Sequence, residues 1–119
     1  MFAVNKEDFT ISVTRGDAGA FSVGANIGDA SYEFKPDDVV RLKVSTKKDC
    51  ADVVLQKDFK VTEACSEVEI ALDKEDTTIG EVISKPVDYW YKITLNPETY
   101  PQTFIGHDDE GAKLFRLFP

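Results

Sequence analysis

The sequence predicts an all-β protein, an immunoglobulin-like β-sandwich of about seven strands with one short helical crossover near residues 74–83. Three observations lead there. The apolar residues alternate with polar ones at period two along most of the chain. Glycine, proline and aspartate break the alternation at short intervals, as turns require. The length, 119 residues, suits one domain spanning 1–119, and a single sheet of that size would leave its apolar face wet.

Each element follows from the pattern. "FTISVT" sets Phe9, Ile11 and Val13 on one face. "AFSVGANIG" does the same with Phe21, Val23, Ala25 and Ile27, and Gly28-Asp29 ends it. Pro36-Asp37 forms a turn before "VVRLKVS", whose Val40, Leu42 and Val44 point inward. "DVVLQKDF" is less regular: Val53, Leu55 and Phe59 occupy the inner face and Lys57 interrupts them. "EVEIAL" contributes Val68, Ile70 and Leu72. In "LDKEDTTIGEVISKP", Asp73 is placed to cap a short helix with Asp76 three residues on. Ile79, Val82 and Ile83 fall at helical spacing, and Gly80 and Pro86 keep the helix short. "VDYWYKITL" is the longest strand, with Val87, Tyr89, Tyr91, Ile93 and Leu95 inward, and Asn96-Pro97 terminates it. Tyr89 or Tyr91 stands where such sandwiches place a corner tyrosine. The short "QTFI" precedes "AKLFRLF", which is apolar on both faces.

Composition excludes several functions. The net charge is −8, from 14 basic and 22 acidic residues, and no basic stripe interrupts it. Nucleic acid and anionic membranes are therefore poor partners. No apolar run approaches the ~18 residues of a membrane span. "MFAVNKEDF" shows no signal peptide, so synthesis in a cytoplasm is expected. Cys50 and Cys65 bracket a predicted strand, which puts them ~30 Å apart at ~3.3 Å per residue. A disulfide needs Cα atoms within ~7 Å, so both are expected as free thiols.

The residues offer little catalytic chemistry. The single histidine, His107, lies in "GHDDEG" with no nucleophile motif to serve. Asp108, Asp109 and Glu110 lack the calcium-loop pattern, as does "DKEDTTIGE". No catalytic residue, metal site or cofactor is expected. Arg15-Gly16-Asp17 matches the integrin-binding tripeptide, but "RGDAG" reads as a five-residue hairpin connection. There Gly16 and Gly19 are free to take positive φ, and Asp17 to bond its own backbone.

Trp90 is the informative surface residue. The alternation places it outward with Asp88, Lys92 and Thr94, where a loop such as "NPETYPQ" with Tyr100, a protein partner or a ligand would cover it. The candidate interface is Trp90 and Lys92 together with Leu114, Phe115, Leu117 and Phe118 of the last strand. A strand apolar on both faces is either central or covered by a partner. A second reading makes the chain a glycan- or cell-surface-binding module, with Trp90, Tyr89, Tyr91 or Tyr100 as stacking platforms.

Three stretches carry a resemblance: "TISVTRGDAGAFSV", "FKPDDVVRLKVSTKKDCADVVLQKDF" and "PVDYWYKITLNPETYPQTFIGHDDEGAKLFRLFP". They resemble small proteins of tailed bacteriophages and prophages of gut Firmicutes, and the amino-terminal domain of phage baseplate upper proteins. The resemblance implies a structural module of a tail-tip assembly that carries receptor-binding proteins, located in the virion. It implies tail and baseplate proteins as partners, self-association as a further arrangement, and no catalytic residues. The long second domain, helical stem and receptor-binding head of the larger members have no counterpart in these residues.

Overall fold

A computed structural model describes residues 1–27, 30–106 and 111–119. Its described residues form eleven strands and no helix. In chain order they are β1 (Phe2–Val4), β2 (Ile11–Thr14), β3 (Gly19–Val23), β4 (Ala25–Ile27), β5 (Ala30–Tyr32) and β6 (Val39–Ser45). β7 (Val53–Lys60), β8 (Val68–Leu72), β9 (Val87–Leu95), β10 (Gln102–Ile105) and β11 (Lys113–Phe118) follow.

Seven of these strands form one sheet in the order β1-β2-β11-β9-β6-β7, with β10 beside β9. β11 runs parallel to β2 and antiparallel to β9. β10 and β11 lie along the same edge of β9, against its later and earlier residues respectively. β3 and β8 form a separate antiparallel pair, and so do β4 and β5.

Alternation decides which residues enter the core. Ile11, Val13, Val40, Leu42, Val44, Tyr91, Ile93, Phe115 and Leu117 come from the large sheet, and Val23, Ile70 and Leu72 from the β3–β8 pair. These buried faces join one cluster, as burial of an apolar sheet face requires. Lys57 on β7 is the exception on the inner face. Its ammonium reaches Asp76 at 2.7 Å and Asp73 at 3.6 Å and lies over the Phe59 ring. The charge is thereby paired where the core opens at the sheet edge.

Several expectations are corrected. The helix near 74–83 does not form. Asp76 does accept the Asp73 N–H at 2.8 Å, the bond a helix start would use. Then Asp76 N–H bonds Asp73 O and Thr78 N–H bonds Glu75 O, closing single turns. The Thr78 hydroxyl takes the Lys74 carbonyl at 2.6 Å, and Gly80 takes φ +69°. Helical spacing therefore misplaced Val82, which is exposed, while Ile79 is buried.

Eleven strands replace about seven because long runs change partner. "AFSVGANIG" splits at Gly24, with β3 pairing β8 and β4 pairing β5. β1 and β5 were not anticipated. Phe9 lies outside β2 with φ +61° and its side chain partly exposed. Val53 is exposed too. The Gly28-Asp29 turn lies outside the described residues.

Other turns follow their residues. Asp38 N–H bonds Lys35 O at 3.1 Å across Pro36-Asp37, with Asp37 at φ +75°. Proline second and a positive φ third are what that turn type needs. β9 stops at Leu95 and Asn96 turns at φ +48° before Pro97. Cys50 and Cys65 are both free thiols.

Candidate functional site

The outward face of the seven-stranded sheet carries most of the anticipated surface residues. Register fixes their neighbours, because residues paired across strands share a face. Trp90 on β9 lies between Leu114 of β11 and Ser45 of β6. One row toward the chain start of β9, Asp88 lies opposite Arg116, which holds it with Nε at 2.8 Å. One row the other way, Lys92 lies directly opposite Lys43. Beyond them Thr94 faces Arg41, whose guanidinium bonds Asp58 and Glu98, each at 2.7 Å. Both arginines of this face are thus committed to carboxylates.

Trp90 is half-buried, and a groove of about 340 Å³ runs beside it. Asp8, Thr10, Lys48, Ala112, Lys113 and Leu114 line the groove with Trp90. Lys48 comes from the β6–β7 connection, so that connection borders the groove, and no described residue of 96–101 is among its lining. Tyr100 is 75 % exposed and is not among the described residues lining the groove. A second groove, of about 570 Å³, adjoins the first through Asp8, Thr10 and Leu114.

The anticipated interface divides in two. Trp90, Lys92, Leu114 and Phe118 are half-buried on the outward face. Phe115 and Leu117 have no exposed surface and are core residues. The reason is the position of β11, which is hydrogen-bonded on both sides, to β2 and β9. Its two apolar faces reflect a central strand, and a partner on the outward face would not reach those two side chains. Tyr89 and Tyr91 are likewise buried on the inner face and offer no stacking platform.

Tyr91 is no corner tyrosine of the usual kind. Its hydroxyl donates to the carbonyl of Phe9, 82 residues away, tying β9 to the turn between β1 and β2. Burial pushes its pKa up. Cys50 sits at φ +60° in the β6–β7 connection. Burial pushes its thiol pKa up, while the charges of Lys92 and Lys43 pull the other way.

Arg15-Gly16-Asp17 is a turn, as expected, but it links the large sheet to β3 and is not a hairpin. Asp17 N–H bonds Thr14 O at 2.9 Å with Gly16 at φ +88°. The Arg15 guanidinium donates to Gly80 O at 3.1 Å, and Asp17 takes the Met1 amine. Thr77 closes the arrangement by accepting from Gly16 N–H and donating to Asp17 O. Both charged side chains of the tripeptide are engaged within the chain. The acidic loop at His107, Asp108, Asp109 and Glu110 lies outside the described residues.

No described helix is long and apolar enough to cross a membrane. Comparison of the chain with protein-family models, curated proteins and solved structures finds no match in any of the three.

Proposed function

We propose that the chain is a non-enzymatic structural module of a phage or prophage tail baseplate, docking to neighbouring tail proteins through the outward face around Trp90. Its fold is read as an immunoglobulin-like β-sandwich. β6, β9 and β11 supply the central trio of one layer, β7 extends it, and β3 with β8 form the other layer. The chain crosses between layers from β2 to β3 and from β8 to β9, as such sandwiches do.

One observation carries the docking surface. Trp90 and Leu114 adjoin in the middle of the large sheet, facing away from the core, with charged rows on either side. A tryptophan with an aliphatic neighbour and a charged surround has the make-up of an interface hot spot. The sequence resemblance supplies the setting, a tail-tip assembly in the virion.

The test is co-sedimentation with tail particles of a phage or prophage that encodes the chain. The wild-type chain is expected to sediment with the particles. Trp90→Ala, shown to be folded by circular dichroism, is expected to stay in the supernatant. A folded Trp90→Ala chain that sediments as the wild type does would overturn this interface.

The groove beside Trp90 favours one second reading, a glycan-binding module, since polar Asp8, Thr10 and Lys48 border a ring able to stack. Cell-wall oligosaccharides at millimolar concentration would then quench the fluorescence of the single tryptophan. An unchanged spectrum would remove that reading.

A further inference from the structure

We propose that the outer edge of β7 takes an extended, lysine- or arginine-bearing segment of another protein as an additional strand. This edge is a docking element apart from the Trp90 face.

Backbone direction comes first. Asn96 N–H bonds Val39 O, and Val61 N–H bonds Asp38 O. β6 therefore turns the backbone of Val40, Leu42 and Val44 toward β7, where their partners are Phe59, Lys57 and Leu55. The N–H and C=O groups of Gln56, Asp58 and Lys60 point the other way, off the edge of the sheet. No described backbone group takes them. β10 and β11, which flank residues 107–110, lie on the far edge of β9, with β6 and β7 in between.

An open edge invites a further strand, and proteins usually blunt it. The opposite edge of this sheet is closed by β1, which is three residues long. β7 has eight residues and no proline. Its bulge lies between Val53 and Leu55, ahead of the open groups. Its charges do not guard it either. Lys57 turns to Asp76, Asp58 is held by Arg41, and Lys60 lies 3.5 Å from Asp37.

Charge selects the occupant. A groove of about 540 Å³ runs beside Asp58, Phe59 and Lys60. Phe59 and Val68 give it apolar surface, and Glu63, Glu67 and Glu69 line it. None of these three glutamates forms an ion pair with a described residue. Every lysine and arginine of the chain is a described residue, so none of them serves these carboxylates. A strand added to β7 projects alternate side chains over the groove. Lysine or arginine there lays its stem on Phe59 and Val68 and brings its charge to the glutamates. A second copy joined through the same edge would set two acidic grooves side by side, so a basic segment of another protein is the fitting partner.

The probe is a capped peptide of about ten residues, alternating lysine and valine, added to the full chain while amide hydrogen exchange is followed by NMR. In the free chain Gln56, Asp58 and Lys60 are expected to exchange fast, and Lys57 and Phe59 slowly. The peptide is expected to slow the first three and leave the other two unchanged. Glu63→Gln, Glu67→Gln and Glu69→Gln together are expected to weaken binding about tenfold. A peptide alternating glutamate and valine is expected not to bind. Gln56→Pro removes one outward N–H, a change that an edge strand tolerates, and is expected to weaken binding about tenfold.

Slow exchange of Gln56, Asp58 and Lys60 in the free chain overturns the proposal, because the edge is then covered by the chain itself or by a second copy. So does a lysine peptide that fails to bind, or that binds and leaves their exchange unchanged. Equal binding of the glutamate peptide, or binding indifferent to the three glutamines, overturns the basic partner. Trp90→Ala is expected to bind the peptide as the wild type does, so failure at this edge leaves the Trp90 face standing.

Discussion

Asp38 gathers more of the structure than any other single carboxylate described. It is buried, and accepts from the Tyr32 hydroxyl at 2.7 Å, the Lys35 N–H at 2.9 Å and the Asn96 amide at 3.1 Å. Burial pushes its pKa up, but the Lys35 N–H, Tyr32 and Asn96 outweigh that and hold the carboxyl below the ordinary 3.8. The same bond pushes Tyr32 up to about 12. A carboxyl lowered by folding stabilises fully above its unfolded pKa, and that stabilisation is lost as pH falls through the folded value. Asp38→Asn is therefore expected to lose about 1–3 kcal/mol at neutral pH. It should also flatten the fall in stability between about pH 5 and pH 2. Urea unfolding at a series of pH values checks both, and an unchanged acid limb would contradict the assignment. Tyr91→Phe leaves the Phe9 carbonyl without its donor and is expected to cost about 1 kcal/mol in the same assay.

At the scale of elements, the connection from Asp73 to Pro86 shows where sequence reasoning stopped. The Asp73–Asp76 bond was legible because it is local, and it formed. The outcome of the turn was not, because it depends on Thr77 bonding Gly16 and Asp17, about 60 residues earlier in the chain. β9 and β6 were legible in full, since their alternation is set by one buried face. β11 was ambiguous for a physical reason: a strand central in a sheet and a strand covered by a partner show the same two apolar faces. Only its pairing with β2 and β9 separates Phe115 and Leu117 from Leu114 and Phe118. Lys43 opposite Lys92 was invisible for the same reason, being a fact of register and not of spacing. Two glycines allow a matched test. Gly16 and Gly80 both hold positive φ. A Cβ at Gly16 would meet nothing within 4 Å, whereas at Gly80 it would lie 2.7 Å from the Tyr89 hydroxyl. Gly16→Ala is expected to cost about 1 kcal/mol from backbone strain alone. Gly80→Ala should cost about 2 kcal/mol or more, because Tyr89 must also move. Equal losses in thermal unfolding would mean that Tyr89 yields freely.

At the scale of the whole molecule, the charge of −8 and the outward face have to be read together. A chain this acidic repels acidic neighbours at long range. The row of Lys43 and Lys92 lies beside Trp90 on the face proposed to dock. The core would be little disturbed by losing Trp90, since it points away from the buried apolar cluster. Trp90→Ala is accordingly expected to unfold within about 1 kcal/mol of the wild type, as substitutions outside a core do. Its effect is expected in association.

The most direct measurement is oxidative footprinting of Trp90, comparing the free chain with the chain in tail particles. The sequence holds one tryptophan, so the oxidised peptide is unambiguous. Half-buried in the free chain, Trp90 should oxidise readily there and be strongly protected in the particle. Equal oxidation in both states, or no trace of the chain in the particles, would contradict a docking role for this face.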